Sequence, residues 1–372
     1  MTVHKTSAWP LSEAYAALIV YASLYPFTGW RDQGIAPWAF LASPWPKYWT
    51  GFDVAANLVG YAPLGFLLAL SFLRRGGRAV MSNNKAAIAI ATLVGASLSL
   101  CMEATQSYLP SRVPSNLDFA LNTLGAFVGA TIAGGLELAG AIDRWSRVRL
   151  RWFVEDARGA LVLIALWPFA LLFPAAVPLG LGQVFERMET ALGDWLLDTP
   201  FLEWLPVRDI ELQPLMPATE LLCVAFGAVI PCLLGFSIIH SVRRRAVFGF
   251  IAIGVGVLVT ALSAALSWGP IHAWSWLSDP VTVGLALGGV LTMSLVALPR
   301  RGCTAILLLV LVVHLSLLNQ APASAYFAQT LQTWEQGRFI QFNGLGQWLG
   351  WLWPYAALVY VLFQVSRSEA PP

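Results

Sequence analysis

FDVAANLVGYAPLGFLLALSFL, from Phe52 to Leu73, has one charge at its start, Asp53, and then twenty residues without another. About 20 largely apolar residues in helical form cross the roughly 30 Å hydrocarbon core of a bilayer, so this stretch reads as a transmembrane helix. The rest of the chain has the same character. Of its 372 residues 58% are hydrophobic, only 11% are charged and 17 are Trp, whereas a soluble domain carries about 25% charged residues.

Apolar runs separated by charged or Pro/Gly-rich breaks give ten such segments, with cores at 12–30, 52–73, 86–108, 118–140, 159–178, 218–240, 247–268, 281–299, 303–320 and 345–365. The expected fold is therefore all-α: a polytopic transmembrane bundle of about ten spanning helices. Sixteen of the 22 cations fall on alternating breaks, from Lys5 through Arg74, Arg75, Arg78 and Lys85 to Arg367. An excess of Lys and Arg marks cytoplasmic loops, so both termini are expected inside and Asp53 at the outer face. The net charge of +2 averages two oppositely biased faces and decides nothing. The first apolar run is long, is interrupted by Glu13 and Pro26, and lacks a small-residue cleavage site, so it reads as a retained anchor. Cys101, Cys223, Cys232 and Cys303 lie in or beside predicted helices without a CxxC pair, a pattern that favours neither disulfides nor a zinc site. No cofactor and no metal is expected, and no soluble basic surface for nucleic acid is present.

Composition divides the chain into a four-helix module over residues 1–140, a basic cytoplasmic linker over 141–158 and a six-helix extension over 159–372. The extension is nearly free of ionisable groups at membrane depth. His314 there reads as a packed neutral histidine. Phe185, Met188, Leu192 and Trp195 recur at helical spacing, as do Phe327, Leu331 and Trp334 between Tyr326 and Phe342. Both patterns read as short amphipathic helices on the membrane surface.

The first module is the polar one. DVAANLVG opens the second helix and DFALNTLG the fourth, each presenting Asp, Asn and Gly on one helical face: Asp53, Asn57 and Gly60, then Asp118, Asn122 and Gly125. That recurrence in the same orientation points to a duplicated hairpin, and such repeats often place a site at their interface. Between the copies come Glu103, Gln106 and Arg112. Burying such groups in a bilayer costs several kcal/mol apiece unless they are paired, hydrated or used. Pro63, Gly65 and Gly125 are the expected kink and close-packing positions.

The segments DVAANLVGYAPLGFLLAL and EATQSYLPSRVPSNLDFALNTLGAFVG resemble the VanZ-like family of membrane proteins. The shared pattern is Asn57 with Pro63, Leu64 and Gly65, followed by Glu103, Gln106, Arg112, Asp118, Asn122 and Gly125. The resemblance covers about residues 10–140. It implies a bacterial inner-membrane protein of the cell envelope, with a link to resistance against the glycopeptide teicoplanin, and supplies no reaction.

Three function classes fit these residues. In the first, Glu103, Gln106, Arg112, Asp118, Asn122, Asn57 and Asp53 bind or move an envelope lipid at the outer face, with polyprenyl phosphate or a lipid-linked glycan as candidate partners. In the second, the carboxylates act as acid and base on a lipid-linked substrate. In the third, Glu103 and Asp118 pair with Arg112 and the cluster locks the bundle. For Asp53 alone, capping its own helix is the simpler role.

Overall fold

The computed structural model describes residues 8–25, 27, 29–75, 78–79, 83–173, 175–204, 215–320 and 340–368. Twelve α-helices make up this part: α1 (Ala8–Leu24), α2 (Gly51–Leu73), α3 (Asn84–Gln106), α4 (Asn116–Leu138), α5 (Ala141–Trp152), α6 (Arg158–Leu171), α7 (Phe185–Leu196), α8 (Pro217–Ile238), α9 (Val242–Trp268), α10 (Asp279–Leu295), α11 (Arg300–Leu318) and α12 (Ile340–Ser368). A two-residue antiparallel ladder, Arg74–Arg75 with Arg78–Ala79, follows α2.

Every one of the ten apolar segments coincides with a helix. Among the described residues, seven helices are long and apolar enough to cross a membrane: α2, α3, α4, α8, α9, α11 and α12. The other three, α1, α6 and α10, have 17, 14 and 17 residues, about 21–26 Å of helix at 1.5 Å per residue. Sequence runs set their ends too far out because apolar composition continues past the stop signals. Pro26 follows α1, Pro174 and Pro178 follow α6, and Pro299 follows α10; a proline lacks the N–H and turns its predecessor away from helical geometry.

The chain forms two compact units, Met1–Val148 and Arg149–Pro372. In the first, α2 and α4 run parallel and touch backbone to backbone. A methyl group added at Gly65 would lie 1.9 Å from the Ala126 carbonyl oxygen, one at Gly125 would lie 2.3 Å from that of Leu58, and one at Gly129 would lie 1.8 Å from that of Ala62. Only glycine permits this approach, the kind by which membrane helices associate without a hydrophobic drive. Ala126, Ala130 and Ala133 continue the small face of α4 against Tyr61, Leu64 and Leu68 of α2, Ala91 of α3 and Ile19 of α1. Where α2 and α4 end, Arg74 makes a two-pronged bond to Glu137, Nε–Oε2 2.8 Å and Nη2–Oε1 2.9 Å, and a further ion pair to Asp143 at 2.7 Å. These bonds raise the Arg74 guanidinium further and hold the Asp143 carboxyl below its ordinary value.

In the second unit α8 is the central helix, buried almost continuously from Cys223 to Ile238. A non-helical segment, Val177–Val184, is largely buried beside it. Irregular backbone survives at such depth only when its polar groups are satisfied by protein, and Asn319 does much of that here. Its Oδ1 accepts from Val184 and Phe185 N–H at 3.0 and 3.1 Å, and its Nδ2 donates to the Gly182 carbonyl at 3.0 Å, which also accepts from Tyr355. His314 is buried on α11. The basic stretch expected as a linker holds a helix, α5, none of whose residues is buried. The amphipathic pattern after Gln183 is α7, with Phe185, Met188, Leu192 and Trp195 exposed. The second amphipathic candidate lies, over 326–339, outside the described residues.

Candidate functional site

The N-termini of α2 and α4 lie side by side in the first unit and share a capping sequence, Thr50 to Asp53 and Ser115 to Asp118. In α2 the box closes on itself. Thr50 Oγ1 accepts from Asp53 N–H at 3.2 Å, and Asp53 Oδ2 accepts from Thr50 N–H at 2.9 Å and from its hydroxyl at 2.7 Å. This is the reciprocal satisfaction of two orphan donors of a helix start. Asp53 therefore holds its own helix.

In α4 the box is opened. Ser115 Oγ still accepts from Asp118 N–H at 3.3 Å, but the Ser115 N–H donates to Glu103 Oε2 of α3 at 2.8 Å. A glutamate from another helix has taken the place of the box carboxylate, which leaves Asp118 to turn elsewhere. Asp118 Oδ1 accepts from Asn57 Nδ2 at 2.9 Å, so the asparagine of the first copy grips the aspartate of the second. The same amide donates to the Asp53 carbonyl at 3.1 Å.

Asn122 does not mirror Asn57. Its Nδ2 donates to Ser99 Oγ of α3 at 3.0 Å, deep in the unit, and its Oδ1 has no hydrogen-bond partner although the residue is only 5% exposed. Tyr61 Oη of α2 is likewise buried and makes no hydrogen bond of normal geometry, with the Ser99 hydroxyl beside it and Glu103 as an electrostatic neighbour. Glu103 itself is 4% exposed. It feels the Asp118 carboxylate, and among the described residues neither of these carboxylates has an ion pair. The α3 helix ends at Gln106 rather than two residues later, so Glu103 sits about 4.5 Å below its end.

Gln106 and Arg112 are directed away from this cluster. Gln106 Nε2 donates to the Ser23 carbonyl at 3.0 Å, and Arg112 Nη2 to those of Ala22 and Tyr25 at 3.3 and 2.9 Å. Both satisfy carbonyls left open where α1 stops, the usual need of a helix C-terminus. Burial lowers the half-buried Arg112 guanidinium from its usual value. The pairing of Arg112 with Glu103 and Asp118 that a structural lock required is not made. Gly60, the counterpart of Gly125, faces open space, while its carbonyl accepts from Tyr15 Oη of α1 at 3.0 Å. Pro63 lies inside a continuous α2 one turn past Val59.

The cluster thus contains Asn57, Tyr61, Ser99, Glu103, Asp118 and Asn122. Sequence reading missed Tyr61 and Ser99, which carry no charge and sit at no repeated position. It also missed the caps Thr50 and Ser115, whose signal was legible as Ser/Thr three residues before an acid. The loop joining α1 to α2 exposes Trp30, Trp38, Trp45, Tyr48 and Trp49 at this end. It is fixed by Gln33 Nε2 to the Ser107 carbonyl at 2.7 Å and by Asn116 Nδ2 to the Ser43 carbonyl at 2.6 Å. No group of three or more His, Cys, Asp or Glu side chains suited to a metal occurs among the described residues.

Fold and cluster define a multi-pass helical membrane protein whose first unit gathers buried polar groups at the shared end of two parallel helices. The family model described as VanZ/LLP1 matches residues 3–137, so the first unit is similar to that family; the second unit lies outside the match. No curated protein and no solved structure matches the chain.

Proposed function

We propose that the VanZ-like module binds or moves a lipid of the bacterial cell envelope, or a glycan linked to one, at the end of the unit where α2 and α4 begin. In this reading the chain lies in the inner membrane with ten membrane-embedded helices and both termini cytoplasmic, and the cluster opens outward. The distribution of cations supports the orientation. A role in teicoplanin resistance belongs to the same proposal, through the envelope lipids that the module would handle.

One observation carries the reading: Glu103, 4% exposed and beside Asp118, has a single hydrogen bond and no cationic partner among the described residues. Ionisable groups in membrane helices are costly and mark pathways or sites. A cluster built only to hold helices together would be expected to neutralise its charges internally. The competing structural role is favoured for Asp53, Gln106 and Arg112, whose bonds serve helix ends, and those three leave the binding set.

Native mass spectrometry of gently solubilised protein tests the proposal. Glu103→Gln keeps an oxygen for the Ser115 N–H and removes the charge. Wild type should retain a specific envelope lipid that the variant, obtained in equal yield, loses. The same lipids in both would refute the proposal.

A further inference from the structure

The donor and acceptor inventory of the cluster is lopsided. Its amide donors are engaged by both Asn57 contacts, the Asn122 amide on Ser99 and the Ser115 N–H on Glu103, while the Ser99 and Tyr61 hydroxyls each keep a hydrogen to give. More acceptor positions stand open. Asn122 Oδ1 is buried and unpartnered. Of the carboxylates, Glu103 accepts one bond through Oε2 and Asp118 one through Oδ1, although an ionised carboxylate offers about four acceptor positions. Tyr61 Oη, on a residue 5% exposed, is the second buried orphan and can either donate or accept. The two groups flank one residue, Ser99, which Asn122 bonds directly and which is the nearest polar side chain to the Tyr61 hydroxyl. Buried polar groups are normally satisfied, and one left over asks what completes it.

We infer that the group recognised at Tyr61, Ser99, Glu103, Asp118 and Asn122 is a neutral, hydroxyl-rich headgroup such as a sugar, and that phosphate is kept out of this cluster; the inference rests on the lipid-binding reading above. A hydroxyl donates to one partner and accepts from another, so it suits Asn122 Oδ1 and the open carboxylate oxygens on one side and the Tyr61 hydroxyl on the other. An ammonium group only donates, whereas a hydroxyl can also accept from the Tyr61 and Ser99 hydroxyls. A phosphate brings acceptors and negative charge to a place that already holds acceptors and two carboxylates, with a third, Asp53, interacting with Asp118. The Arg112 guanidinium, the natural phosphate partner, is turned to the end of α1 by its Nη2 bonds to Ala22 and Tyr25.

The test uses the full chain in phosphatidylcholine nanodiscs carrying either diglucosyl diacylglycerol or phosphatidic acid of matched acyl chains, with bound lipid counted by native mass spectrometry. The glycolipid should bind at least about tenfold more tightly than phosphatidic acid, a difference of about 1.4 kcal/mol. Tyr61→Phe should weaken glycolipid binding about fivefold, the worth of one hydrogen bond, and leave the melting temperature nearly unchanged because the hydroxyl makes no hydrogen bond of normal geometry within the protein. Glu103→Gln should narrow the preference over phosphatidic acid. If phosphatidic acid is preferred, and its binding is lost in Glu103→Gln, the lipid-binding reading stands and this inference is wrong. Glycolipid binding untouched by Tyr61→Phe also overturns it. If neither lipid binds above the phosphatidylcholine background, both readings fall together.

Discussion

The two copies of the Asp-Asn-Gly face begin alike and end in different trades. In the first, Asp53 is consumed by its own helix start and Gly60 meets nothing. In the second, Glu103 relieves Asp118 of the capping duty, Asn122 turns into the unit, and Gly125 meets the backbone of α2. One recurring sequence pattern has thus given a structural face and a face with unspent polar groups. What separates them is the helix that precedes each copy: α3 brings Ser99 and Glu103 to α4, whereas α1 brings Tyr15 to the Gly60 carbonyl of α2.

The glycines break the comparison most sharply. Gly125→Ala would place a methyl group 2.3 Å from the Leu58 carbonyl oxygen and should cost about 2–3 kcal/mol through forced helix separation. Gly60→Ala, with open space around it, should gain up to about 1 kcal/mol from helix propensity. Melting temperatures of the two variants should therefore move in opposite directions.

The borrowed cap gives the next effect. Glu103→Ala leaves the Ser115 N–H without its acceptor and should cost about 1–3 kcal/mol, while Glu103→Gln should stay within about 0.5 kcal/mol of wild type. Equal losses in thermal unfolding would mean that the charge, and not the capping bond, holds Glu103 in place.

Smaller still are the bonds that clamp the far ends of the copies. Glu137→Gln removes one arm of the bidentate pair with Arg74, whose side chains are 15% and 19% exposed, and should lower stability by about 1 kcal/mol after allowance for solvent screening. Asp143, 61% exposed in its side chain, should matter least. Its folded pKa lies below the ordinary carboxylate value, so its contribution is present above that value and is lost as the pH falls through the folded one. The difference in melting temperature between wild type and Asp143→Asn should be small at pH 6 and shrink towards zero as the pH falls below the ordinary carboxylate range.

Three helices of the first unit were legible to within about two residues at each end, whereas α1, expected over 12–30, is Ala8–Leu24. Segments at 52–73, 86–108 and 118–140 became helices at Gly51–Leu73, Asn84–Gln106 and Asn116–Leu138, because long apolar runs begin there at Asn, Thr and Ser caps. Where apolar composition outran a proline, as after α6, the reading failed. The site was legible as a set of faces and not as a set of bonds. Helical spacing put Asp118 and Asn122 on one face, yet their choice of Asn57 and Ser99 depends on how closely Gly125 and Gly129 let α4 approach. Arg112 illustrates the limit: its loop position suggested a carboxylate partner, and the nearby unsatisfied end of α1 claimed it. Tyr61 shows the converse, since a hydroxyl on an apolar helix signals nothing until its surroundings are known.

The divergence of the two copies is tested most directly by measuring melting temperature and specific lipid occupancy together for Asp53→Ala and Asp118→Asn. Asp118→Asn retains an acceptor for Asn57 and removes the charge. The account predicts that Asp53→Ala lowers stability by about 1 kcal/mol with lipid occupancy intact, and that Asp118→Asn loses the lipid with its melting temperature unchanged. Matching losses of stability in both variants, with occupancy unaltered, would contradict it and leave both faces as helix supports.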